Sequence, residues 1–239
     1  MQRRAFLGTI PALAQSPAAD SFAPVRALLT GKEPLTWVFT GDSITHGALH
    51  TFGWRSYVEH FSERIRFEMA RPQDIVINTG ISGDTTAGLL KRFGWRVARF
   101  QPSVVSLMMG MNDCGKGPGG REMFRANLEE LVSKISATGS KLILHTMNTI
   151  VEINSGASRK DLPAYVAIIR ELAAKHGLPL VDHYKHWAET RTGRKDVLYL
   201  LNDGSIHPNN VGHVAMAHLL FRELGIFDSE SQVCRLFVP

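Results

Sequence analysis

Short apolar runs alternate with longer stretches of helical spacing along most of the chain, and no other feature restricts its fold as tightly. The runs are Leu35–Thr40, Asp74–Asn78, Val104–Met109, Lys141–Thr146 and Leu178–Val181. Each has the length and apolar content of a strand covered on both faces. Helices are predicted over Trp54–Met69, Thr85–Phe100, Gly120–Thr138, Asp161–His176 and Val211–Leu224. Asp161 and Pro163 supply a cap and a first-turn proline for the fourth of these. Strand–helix alternation requires a parallel sheet with helices on both sides. With right-handed crossovers the expected fold is α/β, a three-layer α/β/α sandwich on a five-stranded parallel sheet, flavodoxin-like in topology. The 239 residues are enough for one full-sized domain and few for two.

The N-terminus has a different character. Arg3-Arg4, a short apolar stretch and the small-residue site Ala12-Leu13-Ala14 resemble a bacterial twin-arginine export signal. The expected organisation is therefore an export signal over 1–20, a polar linker over 21–34 and one domain over 35–239, with the product in the periplasm or outside the cell. A disordered N-terminal tail is the alternative. No run reaches the roughly 18 consecutive apolar residues of a membrane span. The net charge of +5 comes from scattered pairs such as Arg64/Arg66 and Lys91/Arg92, without the one-faced cluster that nucleic acid requires. Cys114 and Cys234 make neither a metal framework nor a disulfide scaffold. They are expected to be free or buried, although in an oxidising compartment they could pair.

Four short motifs stand in order along this framework. Gly41-Asp42-Ser43-Ile44-Thr45 follows the first strand run, and Asn78-Thr-Gly-Ile-Ser-Gly83-Asp84 follows the second. Gly110-Met-Asn112-Asp113 follows the third, and His207-Pro-Asn-Asn-Val-Gly-His213 opens the last helix. Open α/β sheets present chemistry at the carboxyl ends of their strands. Ester hydrolysis by a serine needs an exposed hydroxyl, a base and donors for the oxyanion. Ser43 supplies the hydroxyl, and His207, held by the proline after it, is the best candidate base. Backbone N–H groups at Ser43 and Gly83, with the Asn112 amide, could receive the oxyanion. Glycine suits position 83 because an N–H aimed into a site often needs a backbone only glycine adopts cheaply.

These four segments resemble the conserved blocks of the SGNH/GDSL hydrolases, in the family's order and across residues 36 to 213. The resemblance implies the flavodoxin-like sheet, a Ser43/His207 hydrolase without metal or other cofactor, and an oxyanion hole of Ser43, Gly83 and Asn112. The family's aspartate stands three residues before its histidine. Here that position is Gly204, and Asp203 stands four before. Asp203 is the expected third member; Asp182 or backbone carbonyls are the alternatives for orienting the ring. The implied reaction is hydrolysis of a carboxylic ester through an acyl-enzyme, on a small-molecule or carbohydrate substrate bearing short acyl groups such as O-acetyl. A lysophospholipase or thioesterase activity, or a non-catalytic carbohydrate-binding protein on the same fold, are the competing readings.

Other residues have plainer expectations. His46 and His50, like His183 and His186, have helical spacing that a metal pair could share, but read as surface or rim residues. His213 reads as packing and capping the last helix. Asp42 and Asp113 are expected to hydrogen-bond the loops that hold Ser43 and Asn112, and Asp84-Thr85 reads as a helix N-cap pair. Trp37, Trp54, Trp95 and Trp187 are expected to be core or helix-packing residues, with Trp54 also able to line an acyl or sugar pocket. The irregular stretch Gly115–Gly120 is either a site rim or a solvated turn.

Overall fold

The structure is a computed structural model describing residues 20–47, 49–151, 158–190, 200–201 and 205–238. Five parallel strands form one sheet: β1 (Thr36–Gly41), β2 (Ile75–Asn78), β3 (Val104–Met108), β4 (Lys141–His145) and β5 (Leu180–Val181), in the order β2-β1-β3-β4-β5. Each observed strand lies within a residue or two of its predicted run. Strands β1 and β3 are buried almost throughout, as β-rich apolar runs sealed on both faces should be. Strand β2 departs from that expectation, because it forms the sheet edge and leaves Ile75 exposed.

Helices cover both faces. Helix α3 (Tyr57–Glu63) packs against the last helix, α9 (Asn210–Glu223), while α4 (Thr86–Lys91) and α7 (Leu162–His176) pack against α6 (Arg121–Ala137). On the α3 side Phe61 fills the space between Trp37 and Phe39, with ring centroids 4.9 Å apart in each pair. Burying a side chain of that size stabilises the fold by roughly 1.5–3 kcal/mol.

Three predicted helices need correction. The segment 54–69 becomes α3 followed by a π-helical stretch, Arg64–Glu68. The segment 85–100 breaks at Arg92 into α4, α5 (Phe93–Arg96) and a 3-10 turn. The break lets Arg96 turn inward, where it is fully buried. Asp161 does occupy the cap position of α7, but its carboxylate pairs with Arg121 rather than with the helix N–H groups. Further helices among the described residues were not predicted. Residues read as linker form α1 (Ala23–Thr30), anchored by buried Phe22 and Val25, and α8 (His183–Thr190) follows β5. Trp37 and Trp187 are buried as expected, whereas Trp54 and Trp95 are exposed. Cys114 and Cys234 are both free and both buried, so they do not pair. Among the described residues no helix is long and apolar enough to cross a membrane.

Candidate active site

Ser43 begins a four-residue helix, α2 (Ser43–His46), directly past the end of β1. The turn is possible because Gly41 lies between two neighbours. A Cβ there would come within 2.2 Å of Thr45 Oγ1 and 2.5 Å of the Met108 carbonyl. Asp42 caps α2, accepting the Ile44 N–H at 2.9 Å. That is the backbone role expected of it. Burial pushes the Asp42 carboxyl up to about 7, partly offset by the Ile44 N–H.

The second motif is tied to the first by main chain and side chain together. Thr79 N–H donates to the Phe39 carbonyl at 2.8 Å and Ile81 N–H to the Gly41 carbonyl at 3.1 Å, extending the β1–β2 pairing past the strand. The Asn78 amide donates to the Thr45 carbonyl at 2.7 Å and accepts from Gly80 N–H at 2.9 Å. Gly83 then adopts φ +79, and an added Cβ would meet nothing within 4 Å. The backbone conformation, not crowding, selects glycine there.

Arg96 locks both segments from behind. Its guanidinium donates to the Gly41 carbonyl at 2.7 Å and the Thr79 carbonyl at 2.6 Å, and pairs with Asp84. Asp84 also pairs with Arg92, so its carboxylate serves this cluster; Thr85 alone caps α4. Asp113 likewise acts at a distance from its own loop. It accepts from Thr86 N–H at 3.1 Å and Thr86 Oγ1 at 2.6 Å, fastening α4 to the end of β3.

Asn112 lies just beyond β3. Its amide nitrogen donates to the Asp84 carbonyl at 2.9 Å, and its amide oxygen faces Arg159 Nη2 at 3.4 Å. Both contacts favour the same orientation of the amide, with one N–H left to aim elsewhere. The irregular stretch after it forms a 3-10 segment, Asp113–Gly120.

His207 arrives from the far side, in the loop before α9. That loop is pinned by the Leu201–Pro208 bridge, by Asn209 N–H on the Leu200 carbonyl at 2.8 Å, and by Asn148 Nδ2 on the Ile206 carbonyl at 2.9 Å. His207 Nε2 lies 3.0 Å from Ser43 Oγ. A hydroxyl at hydrogen-bond distance from an imidazole can lose its proton as it attacks a carbonyl. Asp203 lies outside the described residues. Asp182 is turned to other work: it pairs with Arg170 and accepts from Thr146 Oγ1 at 2.9 Å and Lys185 N–H at 3.0 Å.

The remaining histidines divide. His46 bonds Ser82 at 3.0 Å near the surface, in keeping with a rim residue. His50 stacks flat on His207. His183 is fully buried, contrary to a surface reading, and its Nε2 meets His145 Nδ1 at 3.1 Å. His213 packs as expected, stacked on Tyr57 and accepting its N–H at 3.2 Å, but the last helix is capped by Asn209 and not by His213. Burial lowers the His145 and His213 imidazoles to about 3. Trp54 does not fill the core but lines an apolar groove of about 350 Å³ with Val211, Val214, Leu236 and Phe237. Arg96, Asn78 and Arg159 were not singled out from sequence. An arginine in a helical segment carries no mark that distinguishes a buried clamp from a solvated side chain.

Comparison with known proteins gives the chain's family. Residues 39–215 match the GDSL-like Lipase/Acylhydrolase family. An acetylxylan esterase of Geobacillus stearothermophilus is 27% identical over 79% of this chain and 93% of its own length. An uncharacterized lipoprotein of Bacillus subtilis is 29% identical over 56% of this chain, which spans 65% of that relative. Among solved structures, an α/β hydrolase enzyme from the metagenome of Lake Arreo superposes with a TM-score of 0.69 at 25% identity, covering 83% of this chain and 99% of its own. With a family match that runs from the last residues of β1 into α9, the chain belongs to the GDSL-like lipase/acylhydrolase family, enzymes that hydrolyse ester bonds.

Proposed function

We propose that this ester hydrolase removes short acyl groups, acetyl above all, from carbohydrate, with Ser43 as nucleophile and His207 as base. The observation that carries the reading is the 3.0 Å approach of His207 Nε2 to Ser43 Oγ at the end of β1. Ser43 Oγ attacks the ester carbonyl as its proton passes to His207 Nε2. The N–H groups of Ser43 and Gly83 and the Asn112 amide receive the oxyanion. Collapse of the tetrahedral species breaks the C–O bond, and the leaving alkoxide takes the proton from His207. Water then repeats the sequence on the acyl-enzyme and frees Ser43. Asp203 orients the imidazole and stabilises its charged form.

The acetyl–carbohydrate assignment draws support from the acetylxylan esterase among the relatives. Export of the domain draws support from the paired arginines at the N-terminus and from the lipoprotein relative. The test is hydrolysis of p-nitrophenyl esters from acetate to palmitate, together with acetate release from acetylated xylo-oligosaccharide, by wild type and Ser43→Ala. Serine-dependent turnover that falls steeply beyond short acyl chains, with acetate released from the oligosaccharide, is the expected result. A preference for palmitate would redirect the assignment to lipid esters, and undiminished turnover in Ser43→Ala would remove the proposed nucleophile.

A further inference from the structure

The ring of His50 lies parallel to that of His207, with centroids 3.6 Å apart and an angle of 2° between the planes. One face of the base that serves Ser43 is therefore covered by a second imidazole. The loop that delivers it is unusual. Between Gly47 and Gly53 two bulky residues, Leu49 at φ +66 and Phe52 at φ +54, adopt the left-handed backbone that glycine favours. Neither gains burial in return, since Leu49 is 84% and Phe52 70% exposed. Thr51, between them and next to His50, is buried, and its carbonyl accepts the Trp54 N–H at 3.0 Å. Backbone strain of this kind persists where the surrounding structure over-determines it, and it clusters at functional sites.

We propose that His50 is a positioning residue for the catalytic base: its ring holds the His207 plane so that Nε2 faces Ser43, and its π face stabilises the imidazolium that forms during acyl transfer. The inference rests on the assignment of His207 as base. As Ser43 Oγ bonds to the carbonyl carbon, its proton moves to His207 Nε2 and the ring becomes a cation. A cation is attracted to the face of a neutral aromatic ring. The stack also opposes rotation of His207 away from the serine, and small misplacements of a catalytic group are costly to rate. Such support has particular value in a chain whose aspartate stands four residues before the histidine rather than three.

The test uses the full-length protein and p-nitrophenyl acetate. His50→Ala should lower kcat on the order of tenfold with KM little changed, because the ring acts on the base and not on the substrate. His50→Phe, which restores a flat ring, should recover most of the loss. In a His207→Ala background the further change His50→Ala should cost nothing. A kcat within twofold of wild type in His50→Ala overturns the proposal. So does an equal loss in the alanine and phenylalanine variants, or a rise in KM alone. Intact turnover in His207→Ala would remove the base assignment and this role with it. Loss in His207→Ala with no effect of His50→Ala would overturn only the role of His50.

Discussion

Ser43 stands on the end of a sealed parallel strand, braced by main-chain bonds from the neighbouring motif and by a buried guanidinium behind it. His207, by contrast, stands in a loop held to other loops: the 200–201 segment, the Asn148 amide and the ring of His50. Ser43 Oγ and His207 Nε2 come within 3.0 Å, but by different routes. On the serine side, sheet register decides position, and a shift would break many hydrogen bonds at once. On the histidine side, individual side-chain contacts decide it, so single substitutions should reveal more. The serine half of the site is a property of the fold, and the histidine half is a property of particular residues.

The largest effect that could break this contrast comes from the triad carboxylate. Asp203→Asn should cost about 10⁴ in kcat if it orients His207, while Asp182→Asn should leave kcat near wild type, since Asp182 is engaged by Arg170 and Thr146. Steady-state kinetics on the two variants decide the matter. Activity undiminished in both would mean a Ser–His dyad supported by stacking and loop contacts alone. On the serine side, Arg96→Met leaves two carbonyls and a carboxylate short of their buried partner. It should lower stability by about 3–5 kcal/mol, read as a fall in Tm; an unchanged Tm would show that the clamp is not needed.

Asn112→Ala should cost about 10²–10³ in kcat if its amide donates to the oxyanion. An unchanged kcat would take Asn112 out of the hole and leave only backbone donors. A further effect concerns the buried imidazoles. His213 titrates near 3 when folded, below the ordinary histidine value of 6.5. The unfolded chain therefore binds its proton first as pH falls. Stability is lost between pH 6.5 and 3, at about 1.4 kcal/mol per pH unit for one such group. His213→Phe should flatten that slope in urea melts across this window, whatever it does to absolute stability. An identical slope would mean that His213 is not buried neutral.

Much of this was legible in the chain. Apolar runs marked all five strands, most plainly β1 and β3, because a strand sealed on both faces has no polar alternation to hide it. The motif residues Ser43, Gly83, Asn112 and His207 could be picked out because each sits where a strand ends or a helix begins. The break at Arg92 was not legible, because the segment 85–100 keeps helical spacing through it. Nor was the exposure of Trp54 and Trp95, since a tryptophan's burial depends on which element passes over it. The buried His145–His183 pair came together across 38 positions of sequence.

The sequence by itself determined the succession of the five strands, the strand ends that would carry chemistry, and the residue types that make a serine hydrolase. Those follow from local periodicity and from the few side chains capable of the reaction. Tertiary structure alone decided which polar groups meet: Arg96 on the Gly41 and Thr79 carbonyls, Asp113 on Thr86, and His50 on His207. The reason is physical. Periodicity records which face of an element turns inward, but a buried hydrogen bond or ring stack exists only once two distant elements have settled at one distance and one angle.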